Sequence, residues 1–188
     1  MRKLMLAALF AVLSCRTALP PGRPLTPLTA TDAATAQTQL RERRASFAGA
    51  RSLMRIRATH DGRTDSFRGQ LIVHDARRME LIAYTPIGTT ALHMTADGDR
   101  VTSEPDVPQS ALSIFRGGLQ PAELAMLLLG IPPNDGVQSV YAAEGLREAT
   151  VGDMHFTFDP PAFPAKQVTV ERVSDRVVIE HLEIVTAK

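Results

Sequence analysis

Five histidines, one cysteine and twenty carboxylates are the side chains in this 188-residue sequence with the most scope for chemistry. His60, His74, His93, His155 and His181 stand apart from one another. None has a neighbour at the short spacing that sets two metal ligands side by side, and Cys15 lies too far away to complete a set. No G-x-S-x-G elbow, P-loop or Rossmann glycine pattern occurs. His74 and Asp75 are adjacent, but HDAR (74–77) reads as a tight reversal, so the pair is a solvated turn rather than half of a triad. Asp97 and Asp99 flank Gly98, which spells a hairpin and not a calcium loop. Any two carboxylates could be posed as acid and base, yet nothing selects a pair. No catalytic residue, metal or cofactor is expected, and the protein is not expected to be an enzyme.

Cys15 remains, and its surroundings are informative. Arg2 and Lys3 precede an apolar run from Leu4 to Leu13, and Ser14 leads into the cysteine. Ten apolar residues are too few to span a bilayer, which takes about 20, so residues 1–14 read as a secretory signal. Val12-Leu13-Ser14-Cys15 looks like a bacterial lipobox. That likeness implies cleavage before Cys15 and a diacylglycerol and an N-acyl chain, such as palmitate, on the cysteine. An ordinary signal peptide with a chance cysteine is the other reading. With one cysteine no intramolecular disulfide can form, even in an oxidising compartment. One acyl chain holds a protein on a membrane only marginally, whereas three hold it almost permanently.

Of the 21 basic residues Arg2 and Lys3 lie in the leader, and the remaining 19 face 20 acidic ones, a net charge of −1. No basic excess calls for nucleic acid. Residues 16–31 hold four prolines and no strand or helix period, which suits a tether between the lipidated cysteine and one domain over 32–188.

Within that domain Asp32–Phe47 predicts a helix, capped by Thr31 or Asp32 and ending in Arg41, Arg43 and Arg44, which complement its dipole. From Arg51 the apolar period becomes two. Tight turns at HDGR (60–63), HDAR (74–77) and ADGD (96–99) separate the strands, which predicts an antiparallel meander. Ser110–Phe115 reads as a short helix. Pro121–Leu129 is a better one, with a proline in its first turn and Gly130 at its stop. Strand patterns resume near 137–141, 146–151, 154–158, 167–173 and 177–185. The total is about ten strands with two or three helices.

The inward register of the meander carries Met54, Ile56, Phe67, Leu71, Val73, Met79, Leu81, Leu92 and Met94. Ala58, Gly69 and Ala83 interrupt it with small groups. A curved sheet with small residues and flexible methionines can enclose a hollow for a variable apolar guest. A plain filled core is the other reading of the same pattern. Between two strands the loop YTPIGTT (84–90) sets Ile87 between Pro86 and Gly88, where water-facing turns usually carry polar residues.

RMELIAYTPIGTTALHMTADGDRVTS (78–103) resembles the LolB family of outer-membrane lipoprotein receptors, within the LolA/LolB-like fold. Thr85-Pro86-Ile87-Gly88-Thr89 fits the family's N-P-L-G-S/T loop, with Thr for Asn and Ile for Leu. LAMLLLGIP (124–132) resembles its apolar helix ending in L-G-x-P, and residues 160–185 resemble its last two strands. The chain departs from the family in having no tryptophan.

The resemblance implies an unclosed half barrel of about eleven antiparallel strands, covered by helices. It also implies an acyl-chain cavity lined by the nine residues above with Leu124 and Leu128, and an insertion-promoting loop at Pro86, Ile87 and Gly88. The implied partners are acylated lipoproteins, a LolA-like periplasmic chaperone and outer-membrane lipid. The implied location is the periplasmic face of a bacterial outer membrane, with the protein a monomer. A periplasmic lipid or glycolipid carrier on the same fold, and a structural lipoprotein with a filled core, are the alternatives.

Overall fold

The computed structural model describes residues 22–105, 118–173 and 175–187. Among them are α1 (Ala33–Ala45), β1 (Ala50–His60), β2 (Arg63–Val73), β3 (Arg78–Tyr84), β4 (Thr90–Asp97) and β5 (Arg100–Glu104). They are followed by α2 (Pro121–Leu128), β6 (Gln138–Ala142), β7 (Gly145–Val151), β8 (Met154–Phe158), β9 (Gln167–Arg172) and β10 (Asp175–Thr186). Cys15 and the helix expected at Ser110–Phe115 lie outside the described residues.

Local chemistry explains most of these boundaries. The Asp32 carboxylate accepts the Thr35 N–H at 2.8 Å and caps α1. Pro121 opens α2, and the Glu123 carboxylate accepts the Gln120 N–H at 2.9 Å. Gly130, at φ +89°, lies just past its end. β1 and β2 are joined by Asp61 and Gly62, at φ +48° and +74°, a turn whose twist matches that of its strands.

All ten strands form one curved, unclosed antiparallel sheet in the order β5-β4-β3-β2-β1-β10-β9-β8-β7-β6. Ten strands among the described residues agree with the about ten of the periodicity and the about eleven of the resemblance. The first five strands are a meander, as expected. The last five are a second meander laid beside it, and the two are joined where β1 pairs with β10, from Ala50↔Thr186 to Thr59↔Arg176. Because neighbours alternate in direction, the β1–β2, β3–β4, β7–β8 and β9–β10 turns all fall on one end of the strands, the upper rim.

Residues 22–31 do not hang free. Pro24 bridges to Val185, the Arg23 carbonyl accepts the Thr186 N–H at 2.8 Å, and Leu25 and Leu28 pack against the core. The expected tether is therefore, in this part, a strap along the lower end of β10.

A bulge in the β1–β10 ladder shifts the register between Leu53 and Met54, with Leu182 as the extra residue. Beside it His181 turns under α2. Its Nε2–H donates to the Leu128 carbonyl at 2.9 Å, so its Nδ1 accepts the hydroxyl of the fully buried Ser52 at 2.6 Å. The pair pins the end of α2 to the sheet. Burial drives the His181 pKa down to about 4, against a smaller upward pull from the Leu128 carbonyl.

The unfolded chain takes up the His181 proton near pH ~6.5, but the fold resists it until about 4. Stability is thus lost as pH falls through that window, by roughly 3 kcal/mol at most from this group. Urea unfolding of the parent protein should weaken more between neutral pH and pH ~4.5 than that of His181→Gln, which has no proton to gain there. Parallel pH profiles for the two would contradict the assignment.

Candidate functional site: a cavity under the second helix

The concave face is not filled. Between α2 and the sheet lies a cavity of about 640 Å³. This is within the ~300–1,000 Å³ typical of small-molecule sites. Its walls follow from strand register. From β1 come Met54, Ile56 and Ala58, from β2 Phe67 and Leu71, from β3 Met79, Leu81 and Ala83, and from β4 Leu92. Pro121, Leu124, Ala125 and Leu128 of α2 form the roof. The lining is almost wholly apolar, with polar side chains gathered at the upper rim: Tyr84, Thr85, Arg172 and Asp175.

Nine of the eleven side chains expected to face a hollow do line it. Val73 and Met94 do not. They share the same face but sit at 0% and 1% exposure in the packed core with Leu40, Met126 and Ile131. Strand alternation fixes which face a side chain takes, not how far along the strand the packing closes. The sequence reading also missed Met154, Phe156, Val170, Val177 and Ile179, which complete the wall from the second meander. Their signal was present in the alternation Val168-Val170 and Val177-Ile179.

The loop at the rim is built to project. Thr85 N–H donates to the Thr89 carbonyl at 2.8 Å, Gly88 N–H donates to the Thr85 carbonyl at 2.9 Å, and the two threonine hydroxyls meet at 2.7 Å. Gly88 adopts φ +86° with open space around it. Thr85 and Pro86 border the cavity. Ile87 stands at the tip, 87% exposed.

Two other features have a different character. A second cleft of about 830 Å³ lies at the lower rim between the strap and the Asp159–Gln167 loop. Glu144, Asp159, Lys166, Glu180 and Glu183 line it, so it does not suit an apolar guest. Among the described residues no group of three His, Cys, Asp or Glu could hold a metal ion, and no helix is long and apolar enough to cross a membrane.

No family model and no curated protein matches the chain. Among solved structures it is similar to a LolA superfamily protein from Nitrosomonas europaea, with 10% identity and a TM-score of 0.44, covering 81% of this chain and 94% of that one. It is also similar to a DUF1329 family protein from Desulfovibrio piger, with 11% identity and a TM-score of 0.38, covering 84% and 94%. At these values neither likeness carries an argument, and the site stands on its own geometry.

Ala83 lines the hollow with a methyl group where a larger side chain has room. Ala83→Phe should lower the affinity for a fluorescent apolar probe such as phenylnaphthylamine by about tenfold or more, because a phenyl ring takes the guest's space. The thermal midpoint should hold or rise. Undiminished probe binding would show that the probe sits elsewhere.

Proposed function

We propose that this protein is a lipid-anchored receptor of the LolB kind. It takes the acyl chains of a lipoprotein into the cavity from a soluble periplasmic chaperone and passes them into the outer membrane to which Cys15 fixes it. The observation that carries the reading is an apolar cavity whose rim continues into a projecting loop tipped by exposed Ile87. The Thr85–Thr89 loop motif and the L-G-x-P helix end, which resemble the family's, support it.

The energetics are consistent with such a role. A chain of about sixteen carbons gains roughly 12 kcal/mol on leaving water, so unassisted passage through the periplasm is negligible. A cavity with space between its walls and the guest makes fewer contacts than a bilayer does, so transfer to lipid runs downhill. No bond is broken and no nucleotide or metal is needed. The protein acts as a monomer and without nucleic acid.

Ile87 gains roughly 1.5–3 kcal/mol by entering an apolar phase. That is too little to anchor a protein but enough to hold the cavity mouth against lipid. The test mixes the purified protein with a chaperone–lipoprotein complex and liposomes. Ile87→Glu should accept cargo as the parent does and fail to deliver it to the liposomes. Equal delivery by the two proteins would refute the role of the loop, and no transfer by the parent would refute the receptor.

A further inference from the structure

Four large apolar side chains are exposed among the described residues: Ile87 at 87%, Val140 at 50%, Val173 at 100% and Leu182 at 40%. The two most exposed share a location. Ile87 tips the β3–β4 loop, and Val173 follows β9 in the β9–β10 turn. Both turns are on the upper rim. In the sheet β3 and β10 are three ladder spacings apart, about 14 Å along the rim. The cavity mouth lies between them, since Thr85 and Pro86 on one side and Arg172 and Asp175 on the other line the same hollow.

Val173 is also the wrong residue for its backbone. It sits at φ +47°, a left-handed conformation that a β-branched side chain tolerates poorly. The comparable β1–β2 turn solves the same problem with Asp61 and Gly62, which adopt such angles easily. A valine that is strained and wholly in water gives the fold nothing that a glycine or asparagine would not. The charged groups beside it are matched. Arg172 Nε donates to the Asp153 carboxylate at 2.6 Å, and Asp175 is paired with the ring of His60. These two neighbours of Val173 therefore keep their counter-charges when the turn meets an apolar surface.

We infer that the Val173 turn is a second membrane-contact point, which with Ile87 seats the cavity mouth on a lipid bilayer from both sides. This rests on the acyl-carrier reading of the cavity and adds a surface to it. One tip gives contact without orientation. Two tips on either side of the mouth fix its tilt, so the cavity opens toward lipid rather than along the surface.

The test uses the full protein purified from membranes and reconstituted in vesicles of phosphatidylethanolamine and phosphatidylglycerol. A polarity-sensitive dye is attached at Val173→Cys, at Ile87→Cys or, as a lower-rim control, at Asp99→Cys. Quenching by lipids brominated along their acyl chains is then compared. The dye at position 173 should be quenched several-fold more than the dye at 99, and to a degree similar to that at 87. A dye at 173 quenched no more than at 99 would overturn the inference. If the dye at 87 is quenched in that same experiment, the receptor reading survives, and its own failure would show separately as absent cargo transfer. Val173→Gly supplies an independent readout. Its thermal midpoint should rise by a few degrees as the backbone strain is relieved, and a clear fall would show that the valine serves the fold instead.

Discussion

The pairing of β1 with β10 is the interaction on which the rest of the structure depends. Each half of the sheet is a meander held by local turns, and a meander alone has two open edges and one bare apolar face. Joining Ala50–Thr59 to Arg176–Thr186 makes one ten-stranded sheet wide enough to curve. It also brings Phe156, Val170 and Ile179 opposite Leu71 and Leu81, so that one cavity is walled by both halves. The bulge in this ladder places His181 beneath α2, where it and Ser52 bind the helix end through the Leu128 carbonyl. Sheet, roof and hollow are thus set by one seam.

The hollow persists because the available side chains do not fill it. Ala58 and Ala83 leave room on the strands, and α2 contributes Ala125 where a larger residue would reach the sheet. Lower down, Met94, Met126, Leu129 and Ile131 close the packing completely. The dense lower half supplies the stability that allows the upper half to stay open, as voids in an otherwise close-packed interior are destabilising. The strap adds to the lower half. On the proposed reading it leaves residues 15–21 between anchor and domain, at most about 25 Å of extended chain. On that reading the anchor keeps the lower end of β10 within that distance of the membrane.

What the sequence made legible was local. Asp61-Gly62 spelled a hairpin, Asp32 spelled a cap, and alternation assigned Met54, Ile56 and Leu71 to one face, all as found. The seam between β1 and β10 was not legible, because partners more than a hundred residues apart leave no periodic trace in either segment. Val73 and Met94 were placed on the right face at the wrong depth for the same reason: period two carries no information on where a roof ends. The strap was hidden by its prolines, which signal a lack of regular structure and say nothing of whether Leu25 and Leu28 find a surface to cover. Val173 drew no notice in the sequence, since only its backbone angle and exposure set it apart.

On the proposed reading the cavity under α2 receives an acyl chain. Photocrosslinking tests it most directly, with the purified protein incubated with palmitate bearing a diazirine near its terminal carbon, irradiated and mapped by peptide mass spectrometry. Adducts are expected on cavity residues such as Leu71, Leu81 and Leu128, displaced by unlabelled palmitate. Adducts confined to the outer face or the lower-rim cleft, or insensitive to competition, would contradict it.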